Sequence, residues 1–378
     1  MDYGDTAEEA AFRTQFRAWL AANAPTEPLP VAGAARATAW HDWHKKLYEA
    51  GYVGVSWPVA VGGRGLSPLY DAILNEEVGA AGAPPLPHVG FLGRALLHHG
   101  SAEQQRRHLP GLLSGDEVWC QGFSEPGAGS DLSALATRGR LEDDHWIVDG
   151  QKVWTSDAAW ADWCLLLVRT EPEAPRHQGI SALLVDMRTP GITVRPIVQI
   201  NGDTEFNEVF FDGVRVPADR VVGARGDGWR IAMTTVAYER GPAEVGFSSR
   251  YGRTLRALEQ VAISRPADPV IDRALAAAYV QNEVLRLHVL RSLSARLHLP
   301  EGAVPGPEGS IDKLLATRTQ QLLHHAAMDL HGAAAVLGQR DEVLFEYFYS
   351  RAASIAGGTS QIQRGIIAER VLGLPRSP

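Results

Sequence analysis

The segment Ser124-Glu125-Pro126-Gly127-Ala128-Gly129-Ser130-Asp131 has the residue types of a ligand-binding loop. Glycine lets main-chain N–H groups come close to a ligand, and serine hydroxyls both donate and accept hydrogen bonds. A loop of this kind can lie directly against a flat, anionic cofactor. The alternative is a polar surface turn, because Gly, Pro and Ser are also typical of turns. The loop alone therefore does not distinguish a cofactor site from a surface turn, and other motifs must decide between them.

Three further motifs follow this loop along the chain. They are Trp154-Thr155-Ser156, Tyr238-Glu239-Arg240-Gly241-Pro242 and Gly357-Gly358-Thr359-Ser360-Gln361-Ile362-Gln363-Arg364. In this order and at these separations, the set resembles the acyl-CoA dehydrogenase family of flavoproteins. The likeness extends over nearly the whole chain. It implies FAD as cofactor, an acyl thioester as substrate and α,β-desaturation as the reaction.

The resemblance also implies which residues bind the cofactor. They are Phe123, Ser124, Gly129, Ser130, Trp154, Ser156, Thr359 and Gln361. Trp154 would pack against the flavin ring, and the hydroxyl of Ser156, where the family usually has threonine, would donate to flavin N5. From residue type alone, Trp154 is equally a core residue, Ser156 a turn former and Thr359 a helix N-cap.

The base of the reaction is displaced from its common position. Many family members have a glutamate immediately before Gly-Thr-Ser, and the matching residue here is Gly357, which has no side chain. A subset of the family carries the glutamate on an earlier helix, at the position of Glu239. The resemblance thus implies that Glu239 removes the α-proton, while the backbone N–H of Gly357 stays a donor to the thioester carbonyl.

Residues around Glu239 and in the loop complete the predicted substrate site. Arg240 matches an arginine that the family uses near coenzyme A, and Ser130 is a second substrate-binding residue. Pro242 predicts a helix kink beside Glu239, which would open a cavity. The alternative is that Glu239 and Arg240 form a solvated pair on an ordinary helix. Pocket depth would depend on the side chains around Phe91, Leu92, Tyr238 and Ile355.

The elements that must position these residues follow a helix, strand, helix order. Helical spacing of apolar residues covers Ala7–Ala22, Thr38–Ala50, Leu69–Ala81, Gln104–Leu113, Trp229–Leu258, Pro269–Leu297, Ser310–Leu337 and Asp341–Ile355. Short β-branched runs cover Trp163–Arg169, Ile180–Val185, Ile192–Val198 and Val209–Val216, and His145–Trp154 alternates around Asp149-Gly150, a hairpin-type pair.

This order predicts an α+β protein with three domains. They are an N-terminal helical domain over 1–117, a middle β domain over 118–226 and a C-terminal helical bundle over 227–378. The family resemblance implies that the middle domain is a β-barrel and the bundle four-helical.

Composition places limits on location and ligands. The 378 residues are 45% hydrophobic, and the formal net charge of −8 argues against nucleic acid as a partner. No apolar run approaches the roughly 20 residues of a membrane span, and the acidic start lacks the basic region of a secretory signal, so a cytoplasmic location is expected. Cys120 and Cys164 indicate inert core thiols, and the histidine spacings predict no metal site.

Two stretches depart from the family pattern and bear on partners. Family members commonly contact the FAD of a neighbouring subunit through Arg…Phe-Gly and Gln…Gly-Gly motifs, but residues 263–269 and 329–333 contain neither. The resemblance implies reoxidation by an electron-transfer flavoprotein and assembly as a homotetramer or a heterotetramer. One subunit of a hetero-oligomeric enzyme, a flavin-dependent monooxygenase and an acyl-binding protein are the alternatives.

The sequence leaves the acyl group open. A base on the earlier helix favours a branched, long or bulky acyl group, and coenzyme A is not distinguished from a carrier-protein thioester.

Overall fold

The computed structural model describes residues 4–30, 32–87, 89–239, 243–300 and 303–375. The chain forms two compact units, and neither is one continuous stretch. The first, here called the sheet unit, comprises Leu29–Arg64 and Pro87–Glu239; the second, the bundle unit, comprises Met1–Pro28, Gly65–Leu86 and Arg240–Pro378. The helical N-terminal region is therefore divided between the two units. The proposed boundaries near 117 and 226 stay a prediction.

The helices lie in the two regions where helical spacing predicts them. Their bounds are α1 Ala7–Asn23, α2 Gly33–Glu49, α3 Pro68–Ala81, α4 Val89–His99, α5 Ala102–Ser114, α6 Gly228–Glu239, α7 Ala243–Ile263, α8 Pro269–Arg296, α9 Gly309–His331, α10 Ala333–Val336, α11 Asp341–Ala352 and α12 Ser360–Ile366. The sequence reading proposed no helix over α4.

A single sheet forms the core of the sheet unit, which confirms the middle β region. Its strands are β1 Trp119–Gly122, β2 Arg138–Glu142, β3 His145–Ser156, β4 Trp163–Arg169, β5 Ile180–Asp186, β6 Ile192–Pro196, β7 Phe206–Pro217 and β8 Val221–Val222. The order is β6-β7-β3-β2-β4-β5-β8, with β1 beside β4. Strands β4 and β5 are buried along almost their whole length, as their continuous apolar runs indicate.

The predicted hairpin at Asp149-Gly150 is wrong. Both residues lie inside the continuous strand β3, where the pairing with β7 shifts register between Val148 and Gly150. The turn between β2 and β3 instead falls at Asp143, whose φ is +51°. Gly150 is needed because a Cβ there would lie 2.5 Å from the hydroxyl oxygen of Thr137. The extra residue of this bulge belongs to β7, where Asp212 and Gly213 lie opposite the single residue Asp149.

One predicted helical run is shorter than expected. The run predicted over 310–337 is divided at Gly332, whose φ of +54° ends α9 before α10 begins. The run predicted over 229–258 is described as α6 and α7, and residues 240–242 between them lie outside the described residues.

The bundle unit is built on long helices packed through leucines. Leu255 of α7, Leu285 of α8 and Leu323 of α9 are fully or almost fully buried in one core cluster. The N-terminal helix α1 joins this unit through Arg17, whose guanidinium donates to the Glu77 carboxylate of α3 at 2.8 Å.

Cys120 and Cys164 lie directly opposite each other on β1 and β4, and both are buried. The hydrogen bond from Cys164, together with burial, raises the pKa of the Cys120 thiol, so it stays protonated and unreactive. The predicted role as core thiols fits this placement. In the part of the chain that the structure describes, no helix has the length and apolarity needed to cross a membrane.

Candidate active site

The predicted cofactor loop forms a tight turn directly after β1. Glu125 and Ala128 exchange backbone hydrogen bonds of 3.0 Å in both directions, so Pro126 and Gly127 form the tip. Phe123 is buried, whereas Gly129 and Ser130 are exposed. The backbone N–H of Val153 donates to the carbonyl of Ser124 at 2.9 Å, which places the start of the loop against β3.

A buried ion pair holds the loop to the strand that carries Trp154. The Lys152 side chain is completely buried, and its ammonium donates to the Glu125 carboxylate at 2.7 Å and to the Phe123 carbonyl at 3.0 Å. The same carboxylate accepts from the backbone N–H groups of Ala136 and Thr137. Burial alone would raise the pKa of Glu125, but the charge of Lys152 lowers it below its ordinary value. The sequence analysis did not identify Lys152. The signal that could have revealed it is a charged residue among the apolar residues of a predicted strand.

Neither packing within the chain nor backbone conformation requires glycine at positions 127 and 129 of the loop. A Cβ on Gly127 or Gly129 would meet no atom within 4 Å, and neither glycine has the positive φ that other residues avoid. By contrast, a Cβ on Gly122 would lie 2.8 Å from the sulfur of Cys164. Gly127 and Gly129 thus leave open space beside an exposed main chain, which fits the close approach of a ligand.

Trp154 combines an exposed ring with a strained backbone. Its side chain is 58% exposed, and its φ of +61° is rare for a bulky residue. The pairing of β3 with β7 shifts between Lys152 and Thr155, so a bulge turns Trp154 out of the sheet. It makes an edge contact with Phe206 at 6.1 Å. The alternative reading of Trp154 as a core residue is wrong.

Buried polar atoms beside Trp154 lack partners within the described residues. The hydroxyl of Thr155 and the side-chain oxygen of Asn207 are buried without a hydrogen bond. The amide nitrogen of Asn207 donates to the carbonyls of Thr155 and Glu205, both at 3.0 Å. An exposed aromatic face next to unsatisfied polar groups fits a flat polar ring such as a flavin.

Ser156 is half-buried at the end of β3, where it pairs with Phe206 of β7. The N–H of the next residue, Asp157, donates to the carbonyl of Glu205 at 2.9 Å.

Glu239 is the last residue of α6, and its side chain is exposed. The residue before it is tightly held: the hydroxyl of Tyr238 lies 2.8 Å from Nε2 of His98, and the guanidinium of Arg94 lies 5.6 Å from the Tyr238 ring. Burial, then the charge of Arg94, lowers the pKa of His98. Neutral His98 therefore fixes Tyr238 by hydrogen bonding and ring contact.

The other residues named around this pocket are distributed unevenly. Leu92 of α4 is buried and Phe91 is half-buried, whereas Ile355 is exposed and belongs to the bundle unit. Arg240 and the predicted kink at Pro242 lie outside the described residues.

The C-terminal motif lies in the bundle unit, where two glycines lead into α12. Gly357 and Gly358 have φ values of +61° and +95°. Gln363 donates to the carbonyl of Gly357 at 2.9 Å, and the hydroxyl of Thr359 accepts from the N–H of Ile362 at 3.2 Å. Thr359 is therefore the helix N-cap, and Gln361 is exposed.

The two stretches that depart from the family pattern both lie in the bundle unit. Residues 263–269 connect α7 to α8, and residues 329–333 span the end of α9 and the start of α10.

Comparison with known proteins gives one family across the whole chain. Models of the N-terminal, middle and C-terminal domains of acyl-CoA dehydrogenase match residues 6–116, 120–214 and 226–372. Acyl-CoA dehydrogenase IpdE1 of Mycobacterium tuberculosis is 43% identical over 97% of this chain and 97% of its own length. Acyl-CoA dehydrogenase FadE34 of the same organism is 39% identical over 98% of this chain and 50% of its own length.

Solved structures agree with this assignment. The Tcur3481-Tcur3483 steroid ACAD is 31% identical and superposes with a TM-score of 0.86 over 100% of both chains. The ChsE4-ChsE5 complex from Mycobacterium tuberculosis is 27% identical and superposes with a TM-score of 0.84 over 100% of both chains. The chain therefore belongs to the acyl-CoA dehydrogenase family, and it is an oxidoreductase that acts on the CH–CH bond of an acyl-CoA.

Proposed function

We propose that this chain catalyses α,β-desaturation of an acyl-CoA, with Glu239 as the base that removes the α-proton. Observations at two positions, Gly357 and Glu239, support this proposal. Gly357, which has no side chain, lies in a left-handed turn at the position of the common glutamate, while Glu239 is an exposed residue at the end of α6. A carboxylate is a suitable base for a proton next to a thioester carbonyl. The product is a trans-2-enoyl thioester.

The anchoring of Tyr238 supports this role for its neighbour. Because His98 and Arg94 hold the Tyr238 ring, the last turn of α6 has a defined position. A general base must be held in a defined place relative to the carbon that it deprotonates. The backbone N–H of Gly357 is proposed to donate to the thioester carbonyl, where negative charge develops.

The cofactor is proposed to be FAD, and when bound it supplies the acceptor for the hydride from the β-carbon. Trp154 would cover one face of its ring, Ser156 would donate to N5, and the backbone around Gly129 and Ser130 would meet the pyrophosphate. Thr359 and Gln361 would complete the FAD site. Reoxidation by an electron-transfer flavoprotein is part of the proposal.

The acyl group is proposed to be bulky and ring-bearing. The argument comes from the Tcur3481-Tcur3483 steroid ACAD, which matches the full chain. The earlier position of the base is consistent with a bulky acyl group, as the sequence reading expects.

The test is anaerobic loss of the visible flavin colour on mixing with straight, branched and steroid acyl-CoA thioesters. We expect bleaching to be fastest with a steroid acyl-CoA. Glu239→Gln should slow it by about 10²-fold to 10⁴-fold, the usual contribution of a general base, with FAD still bound. Glu259→Gln, an exposed glutamate of α7, is the matched control and should bleach at the parent rate.

Bleaching by Glu239→Gln at the parent rate would contradict the base assignment. Oxygen consumption driven by free reduced flavin, without bleaching by any acyl-CoA, would instead identify a monooxygenase.

A second candidate is that the chain is one subunit of a hetero-oligomeric enzyme. Two observations favour it. Residues 263–269 and 329–333 lack the motifs with which family members contact the FAD of a neighbouring subunit, and the chain is similar to the ChsE4-ChsE5 complex. On this reading, the chain expressed alone should hold little FAD, and co-expression with an acyl-CoA dehydrogenase chain encoded nearby should restore one FAD site. Full flavin content and activity of the chain alone would exclude this candidate.

A further inference from the structure

Two backbone carbonyl groups at the start of the loop after β1 are held by strand β3. The ammonium of Lys152, whose side chain is completely buried, donates to the carbonyl of Phe123 at 3.0 Å. The N–H of the next residue on the strand, Val153, donates to the carbonyl of Ser124 at 2.9 Å. Both carbonyls therefore face β3.

The N–H of Ser124 points in the opposite direction. Every peptide bond of the described residues is trans, and in a trans peptide the carbonyl and the N–H lie on opposite sides. Because the carbonyl of Phe123 faces the buried ammonium, the N–H of Ser124 in the same peptide group faces away from it. This N–H makes no hydrogen bond to the part of the chain that the structure describes, and Ser124 is half-buried. It is available as a donor to a ligand.

The carboxylate of Glu125 keeps Lys152 in place. It accepts from the ammonium at 2.7 Å, and from the backbone N–H groups of Ala136 and Thr137 at 2.6 Å and 2.9 Å. A buried ion pair adds little net stability, because the loss of hydration of both charges offsets their attraction. Its consequence here is geometric, since the fixed ammonium holds the carbonyl of Phe123 in one orientation.

We propose that Lys152 is a positioning residue that turns the N–H of Ser124 towards the pyrimidine oxygens of the flavin. The inference rests on the proposed FAD site, where Ser124 meets the flavin ring. Lys152 is buried and acts only through this peptide group. Reduced FAD carries more negative charge on its pyrimidine ring than oxidised FAD, so the N–H of Ser124 should bind the reduced form more strongly.

The test replaces both members of the ion pair in the full chain, as Lys152→Met with Glu125→Gln. The pair has no net charge before or after, and no unpaired charge is left in the core, so the double variant should keep the fold. Its Kd for oxidised FAD, measured by quenching of flavin fluorescence, should rise about fivefold, which corresponds to one net hydrogen bond. Its Kd for reduced FAD should rise about 50-fold, because that hydrogen bond has a charged acceptor. This tenfold difference lowers the two-electron midpoint potential of the bound flavin by about 30 mV.

Gln151→Met is the matched control, because Gln151 precedes Lys152 on β3 and its side chain instead donates to the Glu208 carboxylate at 2.9 Å. It should keep both Kd values and the midpoint potential of the parent. A role of Lys152 in folding alone predicts the same parent values for the folded double variant. Parent values in the double variant would therefore overturn the proposal.

A second measurement needs no variant. Hydrogen exchange of single backbone amides, followed with and without FAD, should show fast exchange at Ser124 in the flavin-free chain and slow exchange once FAD is bound. The amide of Val153 should exchange slowly in both states, because its hydrogen bond lies within the chain. If FAD leaves the exchange at Ser124 unchanged, the proposal is wrong, even where the double variant does not fold.

These results are separate from the test of the proposed base. No acyl-CoA is added and Glu239 takes no part, so a failed base assignment leaves them unaffected. Parent affinity and potential in the double variant would contradict only the role of Lys152. Failure of the parent chain to bind FAD would contradict the proposed function itself, and with it the inference that depends on it.

Discussion

The backbone conformation of Trp154 does not stabilise the chain in the absence of flavin. A left-handed backbone costs roughly 1–2 kcal/mol for a residue with a side chain. The indole ring gains little in return, because more than half of it is exposed. Strain of this kind persists where the surrounding structure imposes it, and it is commonly found at functional sites. The bulge in β3 imposes it here and leaves the ring exposed, as the proposed flavin contact requires.

Replacement of Trp154 by glycine should therefore separate stability from cofactor binding. Glycine accepts a φ of +61° without strain, so Trp154→Gly should raise the free energy of unfolding of the flavin-free protein by about 1 kcal/mol. The same change should weaken FAD binding, because the ring surface is lost. Urea unfolding and FAD titration measure the two effects.

Asp143→Gly provides the control, since Asp143 also has a positive φ but lies in the exposed turn between β2 and β3. It should leave the affinity for FAD unchanged. If Trp154→Gly lowers the stability of the flavin-free protein, the strain argument fails.

Among the elements, α3 and α7 cross at two glycines in the bundle unit. A Cβ on Gly79 would lie 2.2 Å from the carbonyl oxygen of Gly246, and a Cβ on Gly246 would lie 2.7 Å from the carbonyl oxygen of Asn75. The obstructing atoms are backbone, which cannot move as a flexible side chain does. This close crossing attaches a helix from the N-terminal region to the C-terminal helices.

Gly79→Ala should consequently lower the free energy of unfolding by about 2–3 kcal/mol, because the two helices must separate to admit one methyl group. Thermal or urea unfolding measures this loss. Gly90→Ala in α4 is the matched control, since a Cβ there would meet no atom within 4 Å. Alanine favours a helix over glycine, so this control should raise the stability by about 0.5–1 kcal/mol. Equal effects of the two changes would contradict the crossing argument.

For the molecule as a whole, buried groups in the bundle unit set a pH dependence of stability. Burial, with the charge of Arg351, lowers the pKa of His324 to about 4. Nε2 of His324 lies 3.8 Å from a carboxylate oxygen of Glu346, whose side chain is half exposed to solvent. Burial therefore outweighs attraction between the two, and His324 is neutral in the folded protein at neutral pH.

The free energy of unfolding should fall as the pH drops from about 6.5 to about 4. The unfolded chain binds a proton at His324 first, because its pKa there is close to 6.5. The contribution of neutral His324 is complete above pH 6.5, and roughly 3 kcal/mol is lost by pH 4. Urea unfolding at a series of pH values should show a weaker fall for His324→Gln.

His41→Gln, at an exposed histidine of α2, should keep the parent slope. An unchanged slope in His324→Gln would show that other groups cause the loss in acid.

Local patterns in the sequence determined much of this fold and part of the site. Strand β4 and the strands around it, most helix bounds and the turn at Pro126-Gly127 follow from residue types close together in the chain. Helical spacing, β-branched runs and turn residues act over a few positions, so they can be read without knowing the distant contacts. The proposal of Glu239 over Gly357 as the base also comes from the sequence, through the resemblance of both motifs to the family pattern.

Only the tertiary structure decided how distant segments meet. Lys152 beneath the loop, the hydrogen bond from Asp157 to the carbonyl of Glu205 and the crossing of α3 with α7 all join residues that are far apart in sequence. No local pattern encodes such pairs, because their formation depends on strand register and helix packing across the whole unit. The strained exposure of Trp154 also arises from register, since a one-residue bulge between β3 and β7 turns its side chain outwards.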